Sequence, residues 1–125
     1  MASQVAFAED DGLLGFLAGD YTIVGREPGD GPAYAGTATI AASGDGLLLQ
    51  RSRDGKSIKA EGKLEVPSPP GEGQVLNFRW SGPQPMLLSC LIGSDLDNYA
   101  RLTCLWGRAD QPGEKPGLEA MFAVK

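Results

Sequence analysis

Along this chain apolar and polar positions alternate with a period of two, and turn-forming residues interrupt the alternation at nearly regular intervals. The segment from Ser57 to Val66 shows it most clearly: Ile58, Ala60, Gly62, Leu64 and Val66 fall on one face, and Lys59, Glu61, Lys63 and Glu65 on the other. Successive side chains of a strand point to opposite faces, so this pattern predicts a half-buried antiparallel strand. The same alternation predicts strands over Asp20 to Glu27, Tyr34 to Ser43, Gly46 to Asp54, Gln74 to Gly82, Met86 to Gly93, Tyr99 to Arg108 and Gly117 to Val124. Between them lie residues that preset turn geometry, among them Pro28 to Pro32, Gly44-Asp45, Asp54-Gly55-Lys56, Pro67 to Gly73, Gly82-Pro83, Asp95 to Asn98 and Asp110 to Pro116. Connections this short join antiparallel neighbours, because a parallel crossover needs about a dozen residues or more. One short helix is predicted before the first strand: Glu9, Asp10 and Asp11 suit its start, Leu13, Leu14 and Leu17 give it an apolar face, and Gly19 stops it.

An open meander of eight strands would leave two unpaired edges, which pairing the first strand with the last removes. The expected fold is therefore all-β: an eight-stranded antiparallel up-and-down barrel with a short N-terminal helix, a single domain over residues 1–125. At 125 residues and 42% hydrophobic content the chain can build its core without metal or disulfide staples. A barrel of about eight strands is just wide enough to be filled by its own side chains or to hold one small ligand.

Charge and residue usage narrow the chemistry. The chain has no histidine, which removes the commonest general base near neutral pH, the Ser-His-Asp and Cys-His arrangements and the usual zinc sites. A net charge of −5 opposes nucleic-acid binding, and no apolar run reaches a membrane span. Arg51, Arg53, Lys56, Lys59 and Lys63 gather in one segment, but Asp54 and Glu61 sit among them. A solvated strand face is the simpler reading, and an anion-binding patch the alternative. Asp95-Leu96-Asp97-Asn98 opens like a calcium loop, yet Ala100 stands where that loop needs glycine, so a hairpin turn is expected. No catalytic residue, metal or cofactor is assigned, and an enzyme ranks behind two noncatalytic readings. The N-terminus lacks a basic start and an apolar core, which reads as a cytoplasmic protein.

A hairpin centred near Leu96-Asp97 sets Cys90 opposite Cys104, Ile92 opposite Leu102 and Leu88 opposite Trp106, all on one apolar face. Reduced thiols are expected from the cytoplasmic reading, with a disulfide as the alternative. The opposite face carries Leu87, Ser89 and Leu91, unusually apolar for a solvent side, and is expected to be covered by the helix or by a second subunit.

The stretch Leu14-Gly15-Phe16-Leu17-Ala18-Gly19-Asp20-Tyr21-Thr22-Ile23 resembles the helical turn, Gly-x-Trp motif and first strand of the lipocalins and their calycin relatives, including avidin-like barrels, with Tyr21 in place of the family tryptophan. The resemblance covers about ten residues by motif and the rest of the chain by strand count. It implies a lipocalin-like barrel that binds a small, largely apolar molecule, and an aromatic barrel floor near a basic residue of the last strand. Lys125 stands at the end of that strand here, with Arg108 on the preceding one.

From the residues, Tyr21, Phe78, Trp80 and Trp106 are the candidates to line a ligand pocket, with Met86 and Phe122 beside them and Arg51 or Arg79 as an orienting cation. The bland alternative is that these rings simply fill the interior. A solid barrel acting as a protein-interaction module, and as a homodimer through the sixth and seventh strands, is the second functional reading. The face of Gln74 to Gly82 stays open, because Leu76, Phe78 and Trp80 oppose Val75, Asn77 and Arg79.

Overall fold

The computed structural model describes residues 13–65, 75–94, 99–111 and 113–124. The helix start assigned to Glu9, Asp10 and Asp11, the Pro67 to Gly73 loop, the Asp95 to Asn98 turn and Lys125 lie outside them. The described chain has a helical turn α1 (13–17). Eight strands follow it: β1 (Gly19–Arg26), β2 (Ala33–Ser43), β3 (Gly46–Arg53), β4 (Lys56–Glu65), β5 (Val75–Ser81), β6 (Pro85–Ser94), β7 (Ala100–Arg108) and β8 (Gly117–Ala123). Each pairs antiparallel with its sequence neighbour, and β1 pairs with β8 from Tyr21↔Ala123 to Arg26↔Leu118, closing the barrel. Closure leaves no strand at the edge of the sheet.

Tight turns set the registers. Asp54 and Gly55 both take positive φ (52° and 75°) between β3 and β4, as a two-residue hairpin turn matching the strand twist requires. Alternation then sends one residue in two inward. Leu17, Leu49, Leu76, Phe78, Leu88, Leu102 and Met121 are fully shielded from solvent. Burying an aliphatic or phenyl side chain of this size stabilises by about 1.5–3 kcal/mol. Gly62 makes room for Phe78: a Cβ there would collide with the edge of the ring that packs against it from β5.

α1 buries Leu14 and Leu17 against one end of the barrel, where the Tyr21 hydroxyl donates to the Leu17 carbonyl at 2.7 Å. It does not cover the outer face of β6, where Leu91 is 64% exposed. The hairpin register places Cys90 opposite Cys104, Ile92 opposite Leu102 and Leu88 opposite Trp106, as expected. The expectation of free thiols is corrected: Cys90 and Cys104 form a disulfide, their Cα atoms 4.0 Å apart. That expectation came from compartment, whereas two inward cysteines facing each other across one ladder already have their sulfurs in contact.

Candidate binding site at the barrel mouth

The inward face changes character from one end of the barrel to the other. On β3 it runs Leu47, Leu49, Arg51, Arg53; on β8 it runs Met121, then Glu119; on β2, Ile40, Ala38, then Tyr34 beyond Gly36. The apolar members meet at the α1 end, and the polar ones at the opposite end, the mouth.

Arg51 and Glu119 are the buried charged residues among those described, at 5% and 2% exposure. Arg51 donates to Glu119 Oε1 from Nη2 at 2.6 Å and from Nε at 2.9 Å. The Tyr34 hydroxyl accepts from Arg51 Nη2 at 3.0 Å and donates to the same Oε1 at 2.5 Å. Burial works against the charged Arg51 guanidinium, but the carboxylate of Glu119 outweighs it and raises the pKa above its ordinary value. Burial and the bond to Glu119 push the Tyr34 phenol upward, so it stays protonated. Gly25, opposite Tyr34 on β1, permits this layer: a Cβ there would come within 2.5 Å of the Tyr34 hydroxyl.

Three rings surround the cation. The Arg51 guanidinium carbon lies 4.7 Å from the Trp106 ring centre, 5.4 Å from Tyr34 and 5.9 Å from Trp80. Arg53 lies 4.1 Å over the other part of this cage, the Tyr34 ring, and pairs through Nη2 with Glu27 at 2.6 Å. Its Nη1 is buried without a hydrogen-bond partner.

Above this layer the wall opens. The β4–β5 ladder runs from Glu65↔Val75 only to Glu61↔Arg79, leaving Lys56–Ala60 of β4 unpaired with β5. A cavity of about 510 Å³ lies there, with Ile58, Trp80, Met86 and Trp106 as its apolar wall. Arg51, Arg53, Lys56 and Lys59 also line it, and no carboxylate does.

Of the sequence candidates, Arg51, Trp80 and Trp106 meet at this mouth, and Met86 joins them. Tyr21 belongs to the closed end, and no described cation stacks on its ring; Arg108 pairs with Asp110 near the mouth instead. Phe78 is wholly buried in the packed core. Leu76, Phe78 and Trp80 point inward, which puts Arg79 on the outer surface, paired with Glu65 at 2.8 Å. Phe122 also faces outward, beneath Arg101. Arg79 and Phe122 therefore do not line the interior, because alternation sends them out when their neighbours turn in. Sequence reading missed Tyr34 and Glu119, and held Arg53 and Lys56 only in the anion-binding alternative for the segment from Arg51 to Lys63. The usable signal was phase: Glu119 stands two residues from Met121, and Arg53 two from Arg51.

The outer surface carries a second feature. Val24, Leu91, Leu105 and Leu118 are 51–64% exposed on neighbouring strands β1, β6, β7 and β8, around a groove of about 680 Å³. Among the described residues no three His, Cys, Asp or Glu side chains are grouped to hold a metal, and no helix is long and apolar enough to cross a membrane. Compared with known proteins, the sequence matches no family model and no curated protein.

Proposed function

We propose that the protein is a noncatalytic binding protein for a small apolar or amphipathic molecule, held at the barrel mouth. The observation that carries this reading is the cavity where the β4–β5 ladder stops, walled by Trp80, Trp106, Met86 and Ile58. About 510 Å³ is within the roughly 300–1,000 Å³ of ordinary small-molecule sites. Arg51, held from behind by Glu119 and Tyr34, forms its floor, and the packed core below confines a ligand to the mouth. A calycin-type relationship, suggested by the Gly19-Asp20-Tyr21 segment, fits this role. Both tryptophans touch the cavity, so a bound molecule changes their fluorescence. Titration with neutral and charged naphthalene dyes tests the reading: saturable quenching that Trp80→Leu weakens supports it, and no quenching by any of them refutes it.

The apolar outer face favours a second reading, a homodimer. Registers align Val24, Ala120, Thr103 and Leu91 in one row across β1, β8, β7 and β6. A twofold axis along the strands, between β8 and β7, sets Val24 of one copy against Leu91 of the other, so this row is complementary to itself. Sedimentation of the wild type beside Leu91→Lys decides: a dimer that the substitution dissociates supports this reading, and a monomer in both cases refutes it.

A further inference from the structure

We infer that the molecule held at the mouth is an organic acid, a flat apolar body with one anionic group, and that Arg53 and Lys56 recognise the anion. This deepens the proposed binding role and rests on it. The charges around the cavity supply the argument. Four cations line it without a carboxylate, in a chain whose acidic residues outnumber its basic ones by 16 to 11. Two of the four have counter-ions behind the wall: Arg51 has Glu119, and Arg53 has Glu27. Lys56 and Lys59 have no ion pair among the described residues, so the rim keeps an excess of positive charge.

Arg51 is the less accessible member of the set, its side chain 6% exposed against 23% for Arg53. Its Nε and Nη2 are already committed to Glu119 and Tyr34, so it serves as a neutralised floor. Arg53 differs: Nη2 holds Glu27, while Nη1 has no acceptor. Lys56 stands opposite Arg53 across the β3–β4 hairpin, on the same inward-directed phase, with its ammonium exposed at the rim. An acid group between them gains charge-assisted hydrogen bonds. The rest of the molecule then lies against Ile58, Met86 and the partly buried Trp80 ring, whose flatness suits a planar body.

A matched pair of probes tests this, 1-anilinonaphthalene-8-sulfonate and N-phenyl-1-naphthylamine, which share rings and differ by the sulfonate. Binding is read by energy transfer from the tryptophans on the intact chain. The sulfonate should bind roughly ten- to hundredfold more tightly, the span expected of hydrogen bonds to charged groups. Lys56→Gln and Arg53→Gln should each weaken the sulfonate and leave the neutral amine unchanged. Arg53→Gln also loses the Glu27 pair, so Lys56→Gln, at an exposed position, is the variant that decides if Arg53→Gln fails to fold. Leu91→Lys, on the outer groove, should change neither probe. Equal affinity for both probes, or a sulfonate preference that survives Lys56→Gln, overturns the acid assignment and leaves the mouth reading intact. Absence of energy transfer from either probe sinks the mouth reading itself.

Discussion

The two ends of the barrel are made by the same eight strands, yet they are held together by different physics. At the α1 end the inward residues are Tyr21, Ile40, Leu47, Leu76, Leu102 and Met121, each 2% exposed or less. Only the Tyr21 hydroxyl is polar there, and it is bonded to Leu17. At the mouth, two residues from Met121 on β8, four from Leu47 on β3 and six from Ile40 on β2, a carboxylate, a guanidinium and a phenol share one buried layer. Shape and volume stabilise the first end. The second depends on charge compensation, where a well-packed apolar replacement is often neutral or stabilising.

The sharpest way to break this contrast is to remove one charge. Glu119→Ala strands Arg51 without its counter-ion and should cost about 3–5 kcal/mol in urea unfolding, whereas the double replacement Arg51→Met with Glu119→Leu should recover most of that loss. A double variant as unstable as the single one would mean that the mouth also depends on shape. At the closed end, Leu102→Ala should cost about 2–5 kcal/mol through the cavity it leaves, and no second-site charge change should rescue it.

Alkaline unfolding probes both ends together. Burial pushes the Tyr21 phenol up to about 12 from its ordinary 10.0, and Tyr34 is shifted upward as well. A raised folded-state pKa means that the unfolded chain ionises first. The stability from these neutral phenols is complete below about pH 10 and is lost as the pH climbs through about 12. Tyr21→Phe should remove the Tyr21 part of that decline while costing about 1 kcal/mol at neutral pH for the lost bond to Leu17. An unchanged alkaline profile in Tyr21→Phe would mean that this phenol ionises freely. The smallest effect belongs to the rim: Lys56→Gln should shift stability by no more than about 0.5 kcal/mol in the same urea assay, because its side chain is exposed and unpaired.

The barrel was legible because period two, short turns and the need to pair both outer strands all pointed one way. The register of β6 with β7 followed from where the hairpin is centred. The mouth was harder to read. Five cations between residues 51 and 63 look alike as a charge run, and only the inward phase of β3 separates Arg51 and Arg53 from the solvated residues around them. Glu119 gave no local hint of its partner, since the separation of 68 positions from Arg51 is bridged only when the barrel closes. Arg79 shows the opposite error: it stood beside Arg51 as a candidate orienting cation, but it sits one residue out of phase with inward Trp80 and so faces out.

The direct pairing of β1 with β8 has one more consequence. Because the ring joins head to tail, no hairpin is uniquely the first or the last, and the order in which the strands are translated is separable from the order in which they lie. Circular permutation, with a linker bridging β8 to α1 and new termini cut at Gly44–Asp45, would keep every ladder except the severed turn, and with it the seating of Arg51 against Glu119.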